Sequence, residues 1–172
     1  SNKISFNYFK RRYKHYYNLF FNKTSIKIKN SDDRHLITYE NPKSPISEAY
    51  RSLRSNLLFS YNKKENGVII ISSTGPGEGK TTTISNLAIT YANLGKRVLL
   101  VDTDLRKPVI HKVFNLKNNL GLTNYLSNHE SDHIKLVQDS NVQNLSIITS
   151  GRIPPNPSEI LSSNNMKTLI QK

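Results

Sequence analysis

The apolar run Val68-Ile69-Ile70-Ile71 leads directly into Ser-Ser-Thr-Gly-Pro-Gly-Glu-Gly-Lys-Thr-Thr at residues 72–82. That order predicts a strand over 68–72, a glycine-rich loop, and a helix over about 80–94. Few folds accommodate it. Gly75, Gly77 and Gly79 allow positive φ and remove Cβ atoms, so successive N–H groups can converge on an anion. The helix that follows adds the positive end of its dipole. Lys80 suits the β- and γ-phosphates of a nucleotide, and the Thr81 hydroxyl suits Mg²⁺. Pro76, Glu78 and Thr82 complete the cofactor-binding stretch. The strict pattern G-x-x-x-x-G-K-[ST] would place its first glycine where this chain has Thr74. A ligand-free βα turn is the bland alternative, and the joint order of strand, glycines, Gly-Lys-Thr and helix outweighs it. Ile84, Leu87, Ala88, Tyr91 and Leu94 fall on one helical face, with Gly95 as the stop signal.

Charge narrows the function classes. The net charge is +13 over 172 residues, but residues 1–29 carry eight cations and no acid, leaving +5 for the other 143. The basic character is mostly a property of this tail and does not make the remainder a nucleic-acid binder. Within residues 3–29 the cations interleave with Phe6, Tyr8, Phe9, Tyr13, Tyr16, Tyr17, Phe20 and Phe21. This pattern suits an anionic membrane surface. A helix packed on its own domain, a basic arm, and an arm stacking on nucleic-acid bases are the competing readings. Cysteine is absent, which excludes disulfides and Cys-ligated metals. No apolar run approaches bilayer-spanning length.

Along the chain, residues 1–30 read as a basic, juxtamembrane-like tail, and 31–46 as a linker broken by Asn41-Pro42 and Ser44-Pro45. The remainder, 47–172, reads as one α/β unit. A helix is expected from Ser47 to about Tyr61, and a buried strand over Arg97–Val101. Short helices are expected near 108–114 and 121–137, and a strand over Leu145–Thr149. A last helix should open at Asn156-Pro157 and run to the end. The β-α-β-α-β-α order predicts a P-loop-type parallel sheet flanked by helices, with right-handed crossovers.

Asp102 and Asp104 stand two apart at the end of the second strand, so both can face the same way. Ligands in open α/β sheets collect beyond the carboxyl ends of strands, where the phosphate loop also lies. Two carboxylates there can hold Mg²⁺ through water or accept a proton from an attacking hydroxyl. Arg106 and Lys107 follow and can pair with them or meet phosphate.

Several stretches occur in sequence and are jointly specific. They are Asn41-Pro42-Lys43-Ser44-Pro45, Glu48-Ala49-Tyr50-Arg51-Ser52-Leu53-Arg54, the Pro-Gly-Glu-Gly-Lys-Thr loop, Val101-Asp102-Thr103-Asp104-Leu105-Arg106-Lys107-Pro108, and Thr149-Ser150-Gly151 with Pro154-Pro155-Asn156-Pro157-Ser158-Glu159. Over roughly residues 40–172 the chain resembles the cytoplasmic domain of bacterial tyrosine kinases, the regulators of capsule and exopolysaccharide chain length. The resemblance implies an ATP- and Mg²⁺-dependent autokinase at the cytoplasmic side of the inner membrane. Lys80 and Thr81 then belong to Walker A, and Asp102 and Asp104 to Walker A′. Glu48, Arg51 and Arg54 match the family's E-x-x-R-x-x-R oligomerisation motif. The implied partners are further copies in a ring, whose tyrosines are the acceptors, and a transmembrane anchor on the same chain or on a partner. Partitioning and positioning ATPases of the same fold carry a signature lysine where this chain has Gly75. A nucleotide-regulated scaffold is the non-enzymatic alternative. The family's Walker B Asp-Thr-Pro-Pro and C-terminal tyrosine cluster do not occur in these 172 residues. The expectation is therefore the N-terminal part of a kinase domain, weakly active or inactive alone.

Overall fold

The computed structural model describes residues 35–60, 67–128, 130 and 132–171. The basic tail of residues 1–30 lies outside them. The first described helices are α1 (Ile37–Glu40) and α2 (Pro45–Ser60), so the stretch read as a linker contains a helical turn. Pro45 opens α2 at a position where its missing N–H costs nothing, and the Ser44 hydroxyl accepts the Ser47 amide at 3.1 Å as its cap. Helix α3 (Lys80–Ala92) follows the glycine-rich loop and ends as expected. Gly95 takes φ 79° and its amide returns to the Ala92 carbonyl at 2.9 Å.

Among the described residues the sheet has three strands, β1 (Val98–Val101), β2 (Val137–Asp139) and β3 (Leu145–Ile148), in the order β1-β3-β2. β1 and β3 are parallel, with Val98 opposite Leu145 and Val101 opposite Ile148. β2 was not anticipated. It runs antiparallel to β3, because the short Ser140–Asn144 connection, with Asn144 at φ 64°, can only double back.

The expected strand over 68–72 is a correction. Among the described residues nothing pairs with it, and β1 already uses β3 on its one bonded side. Val68 is 55% exposed and Ile70 81%. An apolar run becomes a strand only when another strand satisfies its backbone. The helix read over 121–137 splits into α5 (Leu122–Leu126) and a 3-10 turn at His133–Leu136, after α4 (Ile110–Val113). It stops because Asn128 adopts φ 59°, a left-handed position no helix continues through. The last helix also divides, into α6 (Pro157–Leu161) and α7 (Asn164–Gln171). Ser162 ends α6 by bonding its hydroxyl back to the Ser158 carbonyl at 2.9 Å.

Side chains alternate across β3 and build two cores. Leu145 and Ile147 join Ala88, Ile89 and Ala92 of α3, Leu100 of β1, and Ile110 and Phe114. Ile148 joins Leu105, Leu122, Tyr125, Leu126 and Leu136, with Met166 and Leu169 of α7 packed outside. Helices therefore cover both sheet faces, the α/β architecture expected.

The Thr149-Ser150-Gly151 stretch closes onto α5. The amides of Leu122 and Thr123 donate to the carbonyls of Thr149 and Ser150, each at 2.8 Å. Asn118 Oδ1 accepts the Gly151 amide at 2.9 Å. A Cβ on Gly121 would lie 2.3 Å from the Gly151 nitrogen and 2.4 Å from the Thr149 oxygen, both backbone atoms. Gly121→Ala is therefore expected to lower the unfolding free energy by about 3 kcal/mol, the upper end for overpacking, as read by urea denaturation.

Candidate nucleotide-binding site

The loop between Ser73 and Lys80 is held from within. Gly77 and Gly79 take φ 76° and 85°, and a side chain at either would be strained. The Lys80 ammonium folds over the loop, donating to Ser73 Oγ at 2.9 Å and to the Gly75 carbonyl at 3.1 Å. The first backbone bond of α3 runs from the Thr83 amide to the Gly79 carbonyl at 2.8 Å. The amides of Lys80, Thr81 and Thr82 ahead of it, the donors of the helix start, have no partner among the described residues. A cation, three free amides and two left-handed glycines thus share one loop. That donor set fits a polyphosphate.

Thr74, in place of the pattern's first glycine, has its own partner. The Glu78 carboxylate accepts the Thr74 amide at 3.1 Å and the Thr74 hydroxyl at 3.2 Å. The Gly75 amide, with the Ser73 hydroxyl next, holds the Glu78 carboxyl below its usual range. Gly75 itself does not take positive φ, and a Cβ there would meet Glu78 Oε1 at 3.4 Å.

The two aspartates differ. Asp102 is 3% exposed and spends both oxygens on backbone: Oδ1 accepts the Asp104 amide at 3.1 Å, and Oδ2 the Ile110 amide at 3.2 Å. Burial raises its pKa to about 6, against the pull of those amides. Asp104 is half-buried, and its Oδ1 accepts the amides of Arg106 and Lys107 at 3.3 and 3.0 Å. Its other oxygen has no partner among the described residues. Neither acid is bonded to Lys80 or to the loop, and the Arg106 guanidinium turns to Ser158 Oγ at 3.4 Å. No group of three or more His, Asp or Glu stands close enough among the described residues to hold a metal by itself.

Glu48, Arg51 and Arg54 line one side of α2. Arg51 pairs with Glu48 at 2.7 Å and donates to the Pro42 carbonyl at 2.8 Å. Arg54 donates to the Thr90 carbonyl of α3 at 2.7 Å, so one of the three cross-links two helices. Tyr50, buried between them, bonds to Thr83 in the first turn of α3, and burial raises its pKa. Ser73 and Tyr50 were missed as site residues by sequence reasoning. Ser73 could have been found from its place at the loop entrance; Tyr50 gave no local signal of its bond to α3.

Together the loop and the helix it feeds define a P-loop nucleotide-binding protein of the α/β class. The chain belongs to the AAA domain family, which matches residues 66–170. It is 48% identical over 136 residues to the tyrosine-protein kinase YwqD of Bacillus subtilis (strain 168), covering 79% of this chain and 57% of that protein. Among solved structures it resembles the chimerical protein CapA2B2, with a TM-score of 0.74, 43% identity, and coverage of 79% of this chain and 59% of that one. It also resembles the kinase domain of the Escherichia coli tyrosine kinase ETK, with a TM-score of 0.76, 32% identity, and coverage of 87% and 58%. The expected resemblance to bacterial tyrosine kinases is thereby borne out. The chain spans somewhat over half the length of these relatives. No described helix is long and apolar enough to cross a membrane.

Asp102 offers a pH test. Its folded-state pKa lies above the ordinary 3.8, so its contribution to stability is full below pH 4 and lost as pH rises through 6. The loss is about 3 kcal/mol on the conversion of 1.36 kcal/mol per unit. Asp102→Asn is expected to remove this slope from the stability profile between pH 4 and 7, measured by denaturant titration at each pH.

Proposed function

We propose that this chain is the nucleotide-binding part of an ATP- and Mg²⁺-dependent protein-tyrosine kinase that regulates capsular or exopolysaccharide synthesis. The observation that carries the proposal is Lys80, held by Ser73 and Gly75 over a loop whose helix-start amides are unpaired. The similarity to named tyrosine kinases favours phosphoryl transfer over a partitioning-type ATPase, as does Gly75 at the position of that group's signature lysine.

Lys80 and the loop amides bind the β- and γ-phosphates. Thr81 and the Asp104 oxygen without a partner among the described residues are the groups that would hold Mg²⁺. Asp102 fixes the Asp104 backbone through the 3.1 Å bond to its amide. Mg²⁺ supplies neutralisation of the charge that develops on the phosphates. Asp104, the half-exposed acid, is the acceptor for the proton of the attacking tyrosine hydroxyl. Catalysis of this kind is positioning and charge neutralisation. The acceptors are tyrosines of neighbouring copies in a ring assembled through Glu48, Arg51 and Arg54. The site works at the cytoplasmic face of the inner membrane, with residues 3–29 on anionic lipid and a transmembrane anchor on the same chain or a partner.

Lys80→Met is expected to weaken MgADP binding by at least about tenfold, the loss of one charge-assisted contact, by calorimetry. In a chain extended to the full length of its relatives it should abolish phosphotyrosine; equal phosphorylation of variant and wild type would sink the kinase reading. Arg51→Ala with Arg54→Ala is expected to reduce the oligomer seen by light scattering while leaving MgADP affinity within about twofold. Nucleotide-dependent assembly with a blank kinase assay would instead favour the scaffold.

A further inference from the structure

Asn86 sits in the middle of α3 and is fully buried. Asparagine is a poor helix former, because its amide competes for backbone partners. Here every hydrogen-bonding position of that amide is used. Oδ1 accepts the Thr38 amide at 2.9 Å and the Thr38 hydroxyl at 2.8 Å. Nδ2 donates to the Thr82 carbonyl at 2.9 Å and to the His35 carbonyl at 3.2 Å. Two acceptances and two donations saturate a carboxamide. Thr38 is itself buried and spends its hydroxyl here, with a longer contact to the Asn86 carbonyl at 3.3 Å.

What the amide joins gives it meaning. One side is the backbone of His35–Thr38, where the chain comes in from its basic N-terminal stretch. The other is Thr82, next to Lys80 and Thr81 in the first turn of α3. The pin is also short-range at each end, since each partner is a backbone group or the buried Thr38 hydroxyl. A buried carboxamide tolerates little displacement before a polar group is left unpaired, which is costly in a low-dielectric interior. His35–Thr38 and the start of α3 therefore cannot shift independently.

We propose that Asn86 is a positioning residue that couples the segment His35–Thr38 to the first turn of the phosphate-loop helix. Ordering of that segment tightens the nucleotide site, and nucleotide tightens the segment in return, as linkage requires. The second half of this statement rests on the nucleotide-binding reading; the first half does not.

Hydrogen exchange on the whole 172-residue chain tests it, with Thr38→Val removing the hydroxyl and Thr38→Ser restoring it. Without ligand, Thr38→Val should speed exchange of the Thr83–Asn86 amides about fivefold, the factor a neutral hydrogen bond carries. Exchange in β3 should stay unchanged, and Thr38→Ser should return to the wild-type rate. Addition of MgADP should slow exchange at Thr38–Glu40 in the wild type, and less so in Thr38→Val. Unchanged exchange at Thr83–Asn86 in Thr38→Val would overturn the coupling, as would an equal acceleration in β3, which marks general destabilisation. If calorimetry shows no MgADP binding by the wild type, the nucleotide reading fails, and the ligand-free comparison still decides the coupling.

Discussion

A helix that starts at a candidate anion site and is then buried almost all round must satisfy its polar groups without water. Helix α3 does so through its own first turn and its neighbours, the buried Ser85 hydroxyl being left without a partner among the described residues. Asn86 is saturated by His35, Thr38 and Thr82, the Thr90 carbonyl accepts Arg54, and Thr83 bonds Tyr50. Removing one such partner leaves a buried group unpaired, at about 1–3 kcal/mol. The packing of α1 and α2 is thus set by the polar residues of α3 as much as by its Leu87, Ala88 and Ile89. At its start the amides of Lys80, Thr81 and Thr82 have no partner among the described residues.

The sequence motif Asp-x-Asp suggests two equivalent carboxylates, and the fold makes them different. Asp102 is turned inward, where burial outweighs its amide partners and favours the proton. Asp104 stays half-exposed with one oxygen uncommitted. One holds the backbone of the other in place. The same spacing therefore yields an organiser and a candidate ligand, a distinction only burial can draw.

Glycine spacing, Gly-Lys-Thr and the helix stop at Gly95 were readable because they depend on local backbone geometry. So were the parallel pair β1–β3 and both short helices of the Pro108–Leu126 region, although their ends were not. The failures share one cause. Val68–Ile71 has the composition of a strand, yet pairing is a property of a neighbour, and periodicity cannot supply one. β2 is three residues long and reads Val-Gln-Asp, too short and too polar for any pattern. Asn86 and Tyr50 lay within recognised helices, but their partners stand 48 and more than 30 residues away, beyond any window. At the site, loop chemistry was legible while the division of labour between Asp102 and Asp104 was not.

Val68 and Ile70 stand out into solvent, and Leu99 on β1, an edge strand among the described residues, is 50% exposed. An unpaired strand edge beside bare apolar side chains is adhesive toward any extended peptide, including another copy of itself. What opposes this is the net charge of +13, of which residues 1–29 carry +8, because like charge raises the cost of close approach. Colloidal behaviour is therefore a contest between a sticky margin and a like-charged chain. Added electrolyte weakens only the second, so for this molecule ionic strength acts as a control on clumping.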